Sequence, residues 1–202
     1  MIKYSVIVFL LFPVLIYGQK WKSRPVSIEV FNNATLLPPA SLFAVARQPI
    51  HPGLLLGYEF KWKENPKGKW FETVKLGYYY HQFASQNLQL YTDFGYQRYI
   101  RKFAFRGSLL AGYMSQFPLS RKLVLQPDGQ YKIQNVYMRP QFMGGAELGT
   151  SYNINSNENP IRIMLNYQIW VQTPFVSGYV PLLPNGALKL GVQFGLNNIF
   201  KL

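Results

Sequence analysis

Few side chains in this sequence can do acid–base or metal chemistry. There are two histidines, His51 and His81, and no cysteine, so disulfides, thiolate metal sites and cysteine nucleophiles are excluded. His81, Ser85 and Asp93 have the residue types of a hydrolytic trio, in which an imidazole takes the serine proton and a carboxylate orients the ring. Asp93, however, falls deep in the strand pattern that follows, away from the rim where His81 and Ser85 belong. His81 therefore reads as a loop-base imidazole with a hydrogen-bonding partner, and His51, just before Pro52, as a strand-start residue. No cluster has metal-ligand spacing, and the isolated glycines make no phosphate-binding loop. Neither a catalytic residue nor a cofactor nor a metal is expected.

A second set of charges is spaced more regularly. Glu59, Lys61, Lys75, Asp93, Arg106, Glu147, Arg162 and Lys189 all lie inside segments that alternate apolar and polar residues with period two, each on the polar parity. The segments are 26–31, 54–62, 70–82, 88–97, 103–113, 141–152, 161–172 and 188–197, which makes eight strands. In the last of them Leu188, Leu190, Val192, Phe194 and Leu196 oppose Lys189, Gly191, Gln193, Gly195 and Asn197. Glycines 57, 77, 95, 112, 145, 149, 191 and 195 share the polar parity, where a narrow barrel leaves little room.

Alternation alone would suit a soluble sandwich or a lipocalin. The charges within strands point instead to a barrel whose apolar face meets lipid and whose polar face meets the lumen, with the eight charges forming an interior network. Composition agrees. Aromatic residues make up 17% and charged residues only 14% of the 202 residues, against ~25% charged in an ordinary soluble domain. Residues 1–18 read as a signal peptide, with Lys3 as the only charge before an apolar core and Gly18 at the cleavage point. No other stretch approaches the ~20 apolar residues of a spanning helix, so a membrane protein of this sequence has to be a closed barrel.

The expected molecule is thus all-β: a transmembrane antiparallel up-and-down barrel of about eight strands, a single domain over 19–202. Short links near 64–69, 100–102 and 153–159 read as periplasmic turns, and longer ones at 32–52, 115–139 and 173–186 as external loops, with both termini periplasmic. The 81–87 link is external but short. The first strand is short for a span, so part of 36–50 extends it or folds back onto the barrel. Two aromatic girdles are expected: Phe60, Trp62, Trp70, Tyr96, Phe103, Tyr152 and Phe200 near the periplasmic rim, and Tyr78, Tyr80, Tyr113 and Tyr167 near the outer one.

The segments HPGLLLGYEFKW at 51–62, WFETVKLGYYYH at 70–81, LYTDFGY at 90–96 and PFVSGYVPLLPN at 174–185 resemble the small outer-membrane barrels of Gram-negative bacteria, and within them the uncharacterised barrels common in Bacteroidota. The C-terminus, QFGLNNIFKL, resembles the assembly signal that ends such barrels, departing from it in Leu202 with Phe200 two residues earlier. The resemblance implies the outer membrane and no particular activity. Outer-membrane lipid deacylases also resemble the chain in size and fold, but their pattern has serine two residues after histidine, and here that position is Phe83.

Net charge is +13, of which Lys3 in the leader contributes one. Lys20, Lys22, Arg24, Lys61, Lys63, Lys67, Lys69, Arg98, Arg101, Lys102 and Lys201 collect on the periplasmic side, where lipid phosphates account for a basic rim without nucleic acid. Arg121, Lys122, Lys132 and Arg139 fall in the long external loop, within reach of lipopolysaccharide. Phe175, Val176, Tyr179, Val180, Leu182 and Leu183 form an apolar cluster in a loop expected to meet water, a candidate partner-docking surface. The reading is a non-enzymatic structural or accessory subunit of a larger outer-membrane complex. A narrow pore or hydrophobic conduit, a surface adhesion protein and a lipid-modifying hydrolase stand as alternatives.

Overall fold

The computed structural model describes residues 25–36, 45, 49–82, 84–119, 122–125, 127, 129–134, 138–154, 161–175 and 181–195. Eight long strands form one closed antiparallel barrel: β1 (Pro25–Thr35), β2 (Pro52–Asn65), β3 (Gly68–His81), β4 (Ser85–Ile100), β5 (Phe103–Pro118), β8 (Arg139–Asn153), β9 (Ile161–Thr173) and β10 (Leu183–Gly195). Neighbours in sequence pair in space, and β1 closes the wall against β10 in a register that sets Pro25 opposite Gly195. Closure leaves no strand edge without partners, which hydrocarbon would not tolerate.

Three expectations change. The first strand is not short: at 11 residues it is a full span, continuing to Thr35 because Ala34 and Asn33 pair with Gly186 and Ala187. Leu183 belongs to the last strand rather than to a loop, paired with Gln172. The long connection 119–138 contains its own hairpin, β6 (Lys122–Leu125) and β7 (Tyr131–Gln134), paired apart from the barrel.

Turn chemistry sets one end of the barrel. Pro66 and Lys67 join β2 to β3, and Asn65 Oδ1 accepts the N–H groups of Lys67 at 3.1 Å and Gly68 at 2.8 Å. Arg101 and Lys102 join β4 to β5, with Arg101 in the left-handed region at φ 55°. The chain enters β1 and leaves β10 at this short-turn end, and the long connections gather at the other. There Val45 of the first long connection folds back. It packs with Ala34 and Leu36 against Tyr167, and its carbonyl accepts from Asn32 Nδ2 at 2.9 Å.

The two faces of the wall are opposite in character. Outward side chains are apolar and open: Ile28, Leu56, Leu76, Leu90, Phe94, Ile163 and Leu190 are exposed, and Leu109 is 72% and Leu148 70% exposed. A continuous apolar wall of this kind suits lipid and would aggregate in water. No described helix is long and apolar enough to cross a membrane. Aromatic rings pair at the short-turn end, Trp70 with Tyr96 at 5.2 Å and Phe103 with Tyr152 at 5.1 Å, and at the long-loop end Tyr113 with Phe142 at 6.2 Å. Phe200 lies outside the described residues.

Inward positions alternate large and small across the ladder. Tyr91 faces Gly112, Trp170 faces Gly145, Asn166 faces Gly149, Glu29 faces Gly191 and Lys75 faces Gly57. A Cβ on Gly145 would press into the Trp170 backbone and side chain, both closer than 3.0 Å. The register thus supplies each bulky interior group with a bare backbone to lie on.

Candidate functional site

The barrel interior is layered. Toward the long-loop end lies an apolar plug of Phe31, Leu55, Tyr79, Leu110, Met114, Met143 and Trp170, all buried. The sequence pattern marks this parity as polar, so the plug is a difference. Its residues sit where an eight-stranded tube is just wide enough to be filled by side chains. Above the plug, amides close the mouth: Asn185 donates to Gln172 Oε1 at 3.0 Å, and Gln141 donates to the Pro174 carbonyl at 3.1 Å.

The middle layer is ionic. Lys75 Nζ stands 3.3 Å from Glu29, 3.0 Å from Asp93 and 3.1 Å from Glu147. Lys189 Nζ binds Glu147 Oε2 at 2.7 Å and donates to the Tyr91 hydroxyl at 3.0 Å, and that hydroxyl donates onward to Gln168 at 3.2 Å. Asn166 donates to the second oxygen of Glu29 at 3.1 Å. Six strands contribute to this one cluster.

Toward the short-turn end a second group surrounds Glu59, which receives Lys69 on one oxygen and Gln193 Nε2 on the other at 3.0 Å. Arg106 approaches the same carboxylate at 3.9 Å and lies over the Phe71 ring at 4.1 Å. Arg162 donates to Gln193 at 3.4 Å and sits 5.9 Å from the Tyr99 ring. The buried interior charges among the described residues are Glu29, Glu59, Asp93 and Glu147 against Lys69, Lys75, Arg106 and Lys189, none more than 6% exposed. Four balance four. Buried charges persist only when so paired and hydrogen-bonded.

Of the eight charges read from the sequence, Glu59, Lys75, Asp93, Arg106, Glu147 and Lys189 meet inside. Lys61 does not. It pairs with Glu64 at 3.2 Å on the rim, because period two gives the face of a residue but not its height. Arg162 stays at the edge of the group. Sequence reading missed Glu29, in the strand read as too short, and Lys69, read as part of a turn.

The trio does not assemble. His81 and Ser85 are register partners, but Ser85 Oγ accepts from Asn87 at 3.0 Å and from Gln116 at 3.1 Å, and Asp93 is held by Lys75 in mid-barrel. His81 instead stacks on His51, with ring centroids 3.8 Å apart and 18° between planes. His51 donates its backbone N–H to Asn32 Oδ1 at 2.8 Å, and its Nδ1 lies 3.1 Å from the Asn33 carbonyl. Burial first, and then the neighbouring His81, hold the His51 imidazole below its ordinary pKa, against the Asn33 contact. Among the described residues no group of three His, Cys, Asp or Glu is placed to hold a metal ion. Of the apolar loop, Phe175 is half-buried, Leu182 exposed and Leu183 buried in β10, while Val176, Tyr179 and Val180 lie outside the described residues.

No family model matches the chain. No curated protein matches it either. Solved structures similar to it include Neisserial surface protein A, 11% identical with a TM-score of 0.49 over 85% of this chain and 94% of that one. Ail, the attachment invasion locus protein of Yersinia pestis, is 12% identical with a TM-score of 0.44 over 86% of this chain and 96% of that one. The outer membrane enzyme PagL is 10% identical with a TM-score of 0.44 over 83% of this chain and 97% of that one.

Proposed function

We propose that the protein is a sealed, non-catalytic barrel of the outer membrane that works by association, as a structural or accessory subunit of a larger assembly. The observation that carries this reading is the filled interior: an apolar plug stacked on a charge-balanced cluster whose members are all buried. Moving a solute through it would require breaking ion pairs at low dielectric, which leaves uncompensated charge. Asp93, the acid a hydrolytic trio would need, is engaged with Lys75. The surfaces left for function are the long-loop end, within reach of lipopolysaccharide phosphates, and the lipid-facing wall.

Two measurements test this. In planar bilayers the purified barrel is expected to give no steady conductance, and an ohmic channel would overturn the sealed interior. Mild extraction from native membranes followed by affinity purification of the tagged chain is expected to recover a stoichiometric outer-membrane protein partner. Recovery of the monomer alone, under conditions that keep known complexes whole, would remove the association reading.

A further inference from the structure

Among the described residues of the strands, the outward wall carries charge at one corner only. Of the described acids, Glu29, Glu59, Asp93 and Glu147 point inward and Glu64 lies on the rim, so Glu72 is the single acid on the lipid-facing parity of the strands. It shares that parity with Trp70, Leu76 and Tyr78, all exposed, but is itself only 9% exposed, set between its register neighbours Phe60 on β2 and Phe94 on β4. A carboxylate on a lipid-facing wall costs free energy unless it is held. Here it is held twice: Trp62 Nε1–H donates to Oε2 at 3.1 Å and the Thr92 hydroxyl to Oε1 at 3.0 Å.

The backbone is shaped around that contact. The β2–β3 register slips between Lys61 and Lys63, so Trp62 is the extra residue of a bulge and its indole reaches Glu72 ten positions away. Bulges commonly re-aim a side chain in this way. Trp62 then meets Phe94 edge-on at 6.2 Å, and Phe94 stacks on Trp70 at 5.6 Å. A carboxylate beside several aromatic rings attracts a cation through both its charge and the ring faces. The two bases on the outward wall among the described residues are at the same corner, both exposed: Lys63, opposite Trp70, and Arg98, opposite Gly68.

We infer that this corner of β2, β3 and β4 binds the headgroup of an ammonium phospholipid of the phosphatidylethanolamine class. The ammonium meets Glu72 among the rings, and Lys63 and Arg98 take the phosphate. One acid and two bases match a zwitterion with a phosphate better than they match an anionic or a purely apolar lipid. Each Glu72 oxygen carries one neutral donor and keeps a second lone pair for an N–H, which favours a primary ammonium over a trimethylated one.

The full chain, delipidated in detergent and then offered equal amounts of phosphatidylethanolamine, phosphatidylcholine and phosphatidylglycerol, is assayed for retained lipid by native mass spectrometry. Wild type is expected to retain phosphatidylethanolamine preferentially. Glu72→Gln is expected to lose that preference about tenfold, as removal of one charge-assisted contact would. Lys63→Gln with Arg98→Gln is expected to weaken retention of all three lipids. In parallel, wild-type Trp62 and Trp70 fluorescence in vesicles is expected to be quenched more by brominated phosphatidylethanolamine than by the brominated choline lipid, a readout that needs no variant. Equal retention and equal quenching by wild type would overturn the site, as would a preference that survives Glu72→Gln.

Discussion

Glu147 is the side chain on which the interior turns. It holds both Lys75 and Lys189, at 3.1 and 2.7 Å, and is itself buried. Glu147→Ala leaves Lys189 with the Tyr91 hydroxyl alone and Lys75 with two carboxylates. It is expected to lower unfolding stability by about 3–5 kcal/mol in urea titrations. Glu147→Ala combined with Lys189→Met removes charge from both sides and is expected to recover most of that loss, so with the two single variants the cycle reads their coupling. An additive double variant would deny the pair. The stacked histidines give a pH dependence. His51 has a folded pKa below its unfolded value, so its neutral form is the one the fold favours. The stability it contributes is fully present above the unfolded value near pH ~6.5 and is lost as pH falls below it through the folded pKa. Acidification is expected to loosen the base of the first long connection, seen as lower amide protection factors at Asn33 and His51 once the intrinsic pH dependence of exchange is divided out. The effect is expected to vanish in His51→Asn.

At the scale of the strand, faces were legible in the sequence and heights were not. Alternation assigned Leu109, Leu76, Phe94 and Val192 to the outside, where they are exposed. Leu109→Arg is expected to cost about 2–4 kcal/mol of folding stability in bilayers and much less in a polar detergent rim. Equal stability in bilayers would place Leu109 away from lipid. The same alternation put Lys61 in the interior network, although its ammonium reaches Glu64 at the rim. It also drew β1 too short, because Asn32 and Asn33 read as a loop when they are strand residues whose side chain and backbone anchor Val45 and His51. Glu72 was not singled out, and its two donors come from adjacent strands. Register is set by turns and bulges that period two does not encode. The apolar plug was hidden for a related reason, since Leu55, Met114 and Trp170 share their parity with the charges and differ from them only in height.

For the whole molecule, the interior is neutral, so the basic excess lies elsewhere on the chain. At the short-turn end Lys63, Lys67, Arg98, Arg101 and Lys102 are exposed together. The fold class followed from charge placed within alternating strands, whereas the balance of four against four needed Glu29 and Lys69 and so needed the structure. The ionic cluster also has a temporal side. Glu29 comes from the first long strand and Lys189 from the last, and the Asn166–Glu29 contact spans 137 residues of chain. In a wall still open at that seam, Glu29 on β1 is two strands from Lys75 on β3, but Asn166 on β9 lies at the far side of the sheet from Glu29, and Lys189 arrives only with the final strand. Contacts of such long sequence separation form late and slowly, after loop closure has been met by entropy. The seam between β1 and β10 is therefore where the network is completed: the inner strands carry three buried acids and three buried bases, and joining the two ends adds Glu29 and Lys189 as one more of each.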